Sequence, residues 1–157
     1  MNKDAIIEAA EAFVQDALGH EGTGHDWWHM VRVRNNAKQI FVHEQGDWFV
    51  IELAALLHDV GDRKVIGKDE DDYTIAKTFL LTQKIDGGTI DKAMFIIENM
   101  SYSHSLSHKL TDTPIEFRIV QDADRLDAIG AIGIARAFAF GGSRQRLLYD
   151  PTAEAQE

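Results

Sequence analysis

The sequence contains no cysteine, only two prolines and no long hydrophobic run. Without cysteine, disulfide bonds and thiolate metal sites are excluded, so any metal site must use histidine, carboxylate or backbone oxygen ligands. No apolar stretch approaches the roughly 20 residues that are needed to cross a bilayer. The first residues show no charged-then-apolar secretion signal. We therefore expect no membrane contact, and a cytoplasmic location is the default.

Basic residues are also scarce, because 16 lysines and arginines stand against 26 acids and give a formal net charge of −10. This excess disfavours binding to the phosphate backbone of nucleic acid and to an anionic membrane surface. It does not exclude a small phosphorylated ligand, since a bound cation changes the local field. A chain of 157 residues, 45% hydrophobic and 27% charged, is typical of a globular protein with a real core. We therefore predict one domain over residues 1–157.

No segment shows the alternating polarity of a strand, and apolar residues recur at helical spacing along most of the chain. The pattern predicts helices over residues 4–18, about 25–44, about 48–60, 72–83 and 89–99, the last of them capped by Thr89. Residues 101–109 are rich in hydroxyls and histidines and are expected to form a polar loop. These patterns predict an all-α protein.

A further helix is predicted where Thr113 and Pro114 precede Glu116. Thr113 would be the cap, Pro114 the first helical residue and Glu116 the return arm of a capping box. The helix is expected to continue through a run of small residues and to end at Gly141–Gly142.

The motif Leu56-Leu57-His58-Asp59-Val60-Gly61-Asp62 ends the third apolar helix. A neutral imidazole beside a carboxylate is costly to bury unless each group finds a partner. A divalent metal would serve both groups, since imidazole and carboxylate are metal ligands. Alternatively, His58 and Asp59 satisfy each other near a helix end, and the motif alone leaves both interpretations open.

Two other predicted helices carry groups of the same kind. His29 follows His25 by four residues, so the two share a face if the helix has begun by His25. The alternative is that one of them packs against the neighbouring tryptophans and the other is exposed. Asp124 lies one turn after Val120, on the inward side of its helix. Ligand types on three separate helices are what a site inside a helical bundle requires.

The order His … His-Asp … Asp resembles the HD-domain metal-dependent phosphohydrolases. The resemblance covers most of the chain and is carried by residues 24–33, 56–62 and 121–130. The first and third blocks are similar to a small bacterial branch that includes Bacillus-type nucleotide pyrophosphohydrolases. The resemblance implies a single HD-domain helical bundle with a metal site in its centre. It also implies that relatives continue with further helices past residues 144–151, so this chain is expected to lack them.

The resemblance further implies that one divalent cation is bound by His29, His58, Asp59 and Asp124. Manganese, nickel, cobalt, iron, magnesium and zinc all remain open as its identity. A second metal would need more histidines, and His104 with His108 is the remaining pair at helical spacing. A polar loop is the favoured interpretation of that pair.

Asp62, one turn beyond His58, would orient or deprotonate the attacking water, with a salt bridge to Arg63 or a lysine as the alternative. Substrate phosphates would need further polar or cationic contacts, with arginine preferred for bidentate binding. The candidates are His25, Arg32, Lys64, Arg125 and Arg144. Arg125 could instead pair with Asp122.

These observations predict a metal-dependent phosphohydrolase that acts on a small phosphorylated molecule, with a nucleotide as the favoured class. Release of pyrophosphate and release of phosphate are both open. The alternative is a non-catalytic metal or nucleotide sensor on the same fold. A purely structural bundle, which would bind no metal, is the third interpretation. The oligomeric state is undetermined by the sequence.

Overall fold

The computed structural model describes residues 2–20, 22, 24–62, 72–107, 110–149 and 151–152. In these ranges all regular secondary structure is helical, which confirms the all-α prediction. The described ranges contain eight helices: α1 (Lys3–Leu18), α2 (Trp27–Glu44), α3 (Trp48–Leu57), α4 (Thr74–Thr82), α5 (Gly87–Asn99), α6 (Tyr102–Ser107), α7 (Ile115–Asp127) and α8 (Gly130–Ser143). None of these helices is long and apolar enough to cross a membrane.

Helix α3 lies at the centre of the bundle. Every residue from Phe49 to Leu57 is buried, and a helix that is apolar on all sides is stable only when other elements surround it. Helices α1, α2, α5 and α7 pack against it. The acid within α3, Glu52, accepts a hydrogen bond of 2.8 Å from Arg34 Nε, which offsets the cost of burying a carboxylate. The chain leaves α3 through His58 and Asp59, which are also buried.

Helices α2 and α7 form the most extensive helix pair. Their apolar stripes face each other, and Asn36 Nδ2 of α2 donates a hydrogen bond of 3.2 Å to the carbonyl oxygen of Ala123 on α7. The same buried faces include the polar residues His29 on α2 and Asp127 on α7. The pairing that builds the core therefore also brings these two polar side chains together.

The predicted capping of α5 is wrong. Asp86, rather than Thr89, is the N-cap, and its carboxylate accepts bonds from Thr89 N at 3.0 Å and from Thr89 Oγ1 at 2.7 Å. Both residues are of a type that caps helices. The aspartate is placed three residues earlier, where it satisfies a backbone N–H that the first turn leaves without a helical partner.

The predicted capping box of α7 is also wrong. Pro114 stands at the cap position without a side-chain bond, and α7 begins at Ile115. Glu116 Oε1 accepts a hydrogen bond of 2.9 Å from Asp47 N instead. Since Asp47 is the N-cap of α3, Glu116 joins the starts of two helices rather than closing its own.

The end of α3 and the loop predicted after α5 differ from prediction. Helix α3 ends at Leu57, three residues earlier than expected, and a turn over residues 58–61 follows. The polar loop predicted over 101–109 contains the short helix α6, while residues 108–109 lie outside the described residues.

The single helix predicted from Pro114 to Gly141 is two helices. Helix α7 ends at Asp127, Ile129 is extended, and α8 begins at Gly130. The φ angle of Gly130 is +65°, in the left-handed region that glycine enters at little cost. The break lets α8 return a side chain, Arg136, to the end of α7.

Candidate functional site

The first turn of α2 holds His29 in place. Asp26 is the N-cap, and its Oδ1 accepts a hydrogen bond of 2.8 Å from His29 N. Helix α2 therefore begins at Trp27, and His25 precedes it rather than sharing a helical face with His29. The His29 side chain is completely buried between α2 and α7.

The turn after α3 presents the next three polar groups. His58 is the C-cap of α3, and its Nδ1 lies 3.0 Å from the carbonyl oxygen of Ala55. The turn continues with a bond of 3.1 Å from Asp62 N to Asp59 O. His58 and Asp59 are buried, and Asp62 is half-buried at the edge of a cavity.

The four residues predicted as metal ligands converge on one point. His29 Nε2 lies 3.2 Å from Asp124 Oδ1 and 3.5 Å from Asp59 Oδ2. His58 Nε2 lies 3.7 Å from Asp124 Oδ1 and 3.5 Å from the same Asp59 oxygen. Two imidazole nitrogens and two carboxylate oxygens, supplied by α2, α7 and the turn after α3, thus face one another.

The hydrogen bonds of both imidazoles determine which nitrogen faces this point as an acceptor. The Nδ1 atoms of His29 and His58 contact a carboxylate oxygen and a carbonyl oxygen, which only accept hydrogen bonds. Each Nδ1 must therefore carry the proton, and in a neutral ring Nε2 carries the lone pair. Both Nε2 atoms are buried and have no hydrogen-bond partner among the described residues. Buried nitrogens of this kind are costly unless a cation or proton meets them.

The electrostatics of the site also favour a positive charge between these groups. Burial lowers the pKa of His58, but Asp59 and Asp124 outweigh it and raise that pKa to about 9. Burial raises the pKa of Asp59 and of Asp124, but the neighbouring imidazoles hold both pKa values well below the ordinary range. The carboxylates are therefore ionised at neutral pH, and they attract a proton or a cation.

The donor set fits a divalent metal ion. The reactive atoms of His29, His58 and Asp124 all lie within 4.8 Å of one another, as do those of His25, His29 and Asp59. Two ligands bound to one ion at 2.0–2.2 Å are expected to lie about 3.0–3.6 Å apart. Three of the four separations between the imidazole nitrogens and the carboxylate oxygens, 3.2, 3.5 and 3.5 Å, lie within this range, and the fourth, 3.7 Å between His58 Nε2 and Asp124 Oδ1, lies just above it.

His25, one of the predicted phosphate contacts, reaches the site from the loop before α2. Its Nδ1 lies 2.6 Å from Asp59 Oδ2, the oxygen that also faces the two Nε2 atoms. His25 is half-buried and lines the cavity. Its contact helps to hold the Asp59 carboxylate in place.

A cavity of about 550 Å³ opens beside the converging groups. Its polar wall includes Asp59, Asp62 and Asp124, together with the cations Arg125 and Arg136. The rest of the wall is mainly apolar or aromatic and includes Tyr73, Ile97, Met100 and Tyr102. The cavity therefore has room for a ligand that combines a charged head group with a flatter, less polar part.

The remaining predicted contacts have three outcomes. Arg125 lines the cavity as expected. Arg32 and Arg144 are not among its described lining residues: Arg32 is bonded to Asp127, and the Arg144 guanidinium lies 5.4 Å from the Phe140 ring. Lys64 lies outside the described residues.

Two residues of the site had no role in the sequence interpretation. Asp127 accepts a hydrogen bond of 2.7 Å from His29 Nδ1, and Arg136 Nη1 lies 3.0 Å from Asp127 Oδ2. The available signals were weak. Asp127 follows Asp124 by three residues, and Arg136 is the one cation between Gly130 and Ser143, in an otherwise apolar or small-residue helix.

The family model for the HD domain matches residues 27–129. The protein YpgQ of Bacillus subtilis is 40% identical over 146 residues, which cover 90% of this chain and 69% of YpgQ.

Solved structures give the same result. A Lactobacillus plantarum protein matches with a TM-score of 0.86 at 32% identity, covering 100% of this chain and 71% of its own. YpgQ in complex with ADP matches with a TM-score of 0.77 at 38% identity, covering 96% and 72%. A Bacillus thuringiensis protein described as an HD-superfamily hydrolase matches with a TM-score of 0.73 at 40% identity, covering 98% and 73%. With the His … His-Asp … Asp residues gathered at one point of an all-helical bundle, the chain belongs to the HD-domain family.

Proposed function

We propose that this protein is a metal-dependent phosphohydrolase that acts on a small phosphorylated molecule, with a nucleotide as the substrate class. The observation that carries the proposal is the convergence of two imidazole Nε2 atoms on two carboxylate oxygens at the wall of an open cavity. Both Nε2 atoms are buried, face carboxylate oxygens and have no hydrogen-bond partner among the described residues, which supports a cation site at this point.

His29, His58, Asp59 and Asp124 would hold the cation. Two nitrogens and two carboxylate oxygens suit manganese, iron, cobalt, nickel or zinc better than an all-oxygen set would. A divalent ion bound at such a site activates water and offsets negative charge on phosphoryl oxygens. The open cavity on one side leaves room for substrate, which a catalytic metal site needs and a closed structural site lacks.

The cations of the cavity wall would bind substrate phosphates. Arg125 is exposed, so its guanidinium can follow a ligand, whereas Arg136 is half-buried and held by Asp127. Planar guanidinium groups match phosphate oxygens in pairs. Because the chain carries a net charge of −10, an anion approaches the cavity only where positive charge is present, and these two arginines supply that charge at the cavity wall.

The apolar part of the cavity supports a nucleotide over a simpler phosphate compound. Tyr73 and Tyr102 offer ring surfaces, and Ile97 and Met100 complete a wall that a planar base could cover. YpgQ has been solved with ADP, and the Bacillus thuringiensis relative is described as a hydrolase. Both facts concern relatives and support the same class of ligand and reaction.

Asp62 would orient the attacking water or take its proton. It lines the cavity beside Asp59, and its backbone is held by the turn after α3. A general base of this kind contributes about 10²–10⁴-fold to the rate. Asp62→Asn should therefore lower turnover by that factor while metal binding stays within about twofold of the wild type.

The experiment is a screen of nucleotides and other phosphate esters with manganese, magnesium, cobalt, nickel and zinc. Phosphate and pyrophosphate are measured separately, so that the two modes of hydrolysis are distinguished. Metal content and metal affinity are measured by elemental analysis and calorimetry, independently of turnover. His58→Ala should abolish both binding and hydrolysis, and His43→Ala, an exposed histidine in the last turn of α2, should change neither.

The outcomes separate the competing interpretations. Metal binding without turnover of any tested compound would support the sensor instead. No metal binding by the wild type would leave the structural bundle. If Asp62→Asn binds metal and hydrolyses at the wild-type rate, Asp62 is not the base.

A further inference from the structure

We infer that Asp127 is a positioning residue for the metal site, and that Arg32 and Arg136 act by holding it. Asp127 fixes the ring of His29 so that Nε2 faces the other ligands. The inference rests on the proposed function in one respect, since it takes a cation to be the group that Nε2 meets.

The contacts of Asp127 leave its carboxylate little freedom. Its Oδ2 lies 2.7 Å from His29 Nδ1 and 3.0 Å from Arg136 Nη1. Arg32 binds it in a bidentate manner, with Nε 2.6 Å from Oδ1 and Nη2 3.0 Å from Oδ2. The residue is buried, so both oxygens are occupied by protein donors rather than by bulk water.

The two possible bonds at His29 Nδ1 compete, and the geometry decides between them. Arg136 Nη1 lies 3.3 Å from this nitrogen, but a guanidinium only donates, so that bond would require Nδ1 to be unprotonated. Asp127 lies closer, at 2.7 Å, and an ionised carboxylate only accepts. The shorter, charge-assisted bond to Asp127 is the stronger one. Nδ1 therefore carries the hydrogen, and Arg136 is bonded to the carboxylate.

The two arginines hold Asp127 in the orientation that this role needs. Arg32 Nε donates to Oδ1, and Arg32 Nη2 and Arg136 Nη1 donate to Oδ2. Guanidinium groups only donate hydrogen bonds, so both oxygens act as acceptors in these contacts. An accepting Oδ2 requires His29 Nδ1 to be the donor in the bond between them.

The arrangement spans three helices and explains the position of Arg32. His29 and Arg32 are three residues apart on α2, Asp127 ends α7, and Arg136 comes from α8. Arg32 therefore acts on the site through Asp127 and His29 instead of reaching the cavity. Carboxylates that accept the second N–H of a ligating histidine are worth about 10–100-fold in metal affinity in other proteins.

The test uses the metal-free full chain and then its complex with zinc or manganese. Long-range ¹H–¹⁵N correlation of histidine rings reports the tautomer of His29 in the metal-free protein, and calorimetry reports the affinity for each metal. In the wild type we expect Nδ1 of His29 to carry a proton, whether or not Nε2 also carries one. Asp127→Asn should populate the Nε2–H tautomer and weaken metal binding by about 10–100-fold. Asp86→Asn, the same change at the N-cap of α5, should alter neither measurement.

A second pair of variants tests the arginine and does not depend on the folding of Asp127→Asn. Arg32→Lys removes the bidentate contact but keeps the charge, and we expect metal affinity to fall by about 3–10-fold as the carboxylate loosens. Arg34→Lys is the matched control on the same helix, where the arginine pairs with Glu11 and Glu52 instead. It should leave metal affinity unchanged even if it lowers the melting temperature.

Each result supports or overturns one statement. An Nε2–H tautomer in the metal-free wild type overturns the inference without any reference to metal. Wild-type metal binding that is unchanged in Asp127→Asn overturns the inference and leaves the proposed function standing. Equal affinities for Arg32→Lys and Arg34→Lys overturn the role of Arg32. Absence of metal binding by the wild type contradicts the proposed function and, with it, a role of Asp127 toward a metal, and the tautomer measurement then decides whether Asp127 fixes the ring of His29.

Discussion

Without metal, the protein should lose stability as the pH rises above neutrality, because His58 gives up a proton that the folded state holds tightly. The folded pKa of His58 is raised from 6.5 to about 9. A raised pKa stabilises the folded state fully below the unfolded value, and that contribution is lost as the pH rises through the folded value. At about 1.4 kcal/mol per pKa unit, the difference amounts to about 3 kcal/mol.

The assay is urea unfolding in the presence of a chelator between about pH 6 and pH 9.5. The free energy of unfolding of the wild type should fall by about 3 kcal/mol over this interval. His58→Gln should lack this decrease, because it removes the titrating group. His43→Gln, an exposed histidine in the last turn of α2, should follow the wild type.

Metal should reverse the trend. A cation displaces the proton from His58, so apparent metal affinity should rise by about tenfold per pH unit between neutrality and about pH 9. At saturating metal the stability of the wild type should therefore not fall over this range. If the wild type and His58→Gln lose the same stability in chelator, the decrease comes from other groups, and the assigned pairing of His58 with Asp59 and Asp124 is incorrect.

Two substitutions test the packing that positions the site. Gly61→Ala would place a Cβ 2.2 Å from the carbonyl oxygen of Asp72, so we expect it to lower the free energy of unfolding by about 1–3 kcal/mol. Gly87→Ala is the control, because no heavy atom of the described residues lies within 4 Å of its Cβ, and it should be neutral or slightly stabilising. Thermal unfolding measures both, and an unchanged melting temperature for Gly61→Ala would show that the turn after α3 can shift freely. Leu53→Ala in the centre of α3 should cost about 2–5 kcal/mol by chemical unfolding, against about 0.5 kcal/mol or less for Leu81→Ala, whose side chain is 61% exposed. Similar losses for the two leucines would contradict the central position of α3.

The ligand types of the site could be read from the sequence because each belongs to a local pattern. His58 and Asp59 follow an apolar helix that is buried on all sides, and Asp124 continues the buried stripe of α7. Helical periodicity depends on neighbouring residues, so it survives without knowledge of the fold. The structure brings these groups together at 3.2–3.7 Å.

The helix caps show where local reasoning fails. Asp86 and Thr89 are both competent caps, and their order decides which one is used. Glu116 is suited to a capping box, but its carboxylate accepts a hydrogen bond from the backbone N–H of Asp47, 69 residues away in the sequence. The break at Gly130 depends on a left-handed backbone angle, which the helical spacing of apolar residues does not predict.

By itself, the sequence predicted an all-helical chain, its resemblance to the HD family and the residues proposed to bind a metal, since helical periodicity is local and the order of the motifs can be read along the chain. Only the tertiary structure decided that Arg125 lines the cavity, that Arg32 holds a carboxylate and that Arg136 does both. Arg32 is 95 residues from Asp127 in the sequence, and Arg136 reaches the same acid because α7 and α8 are separate helices. A charged side chain pairs with whichever opposite charge the packing of helices brings within reach, and that packing depends on contacts along the whole chain.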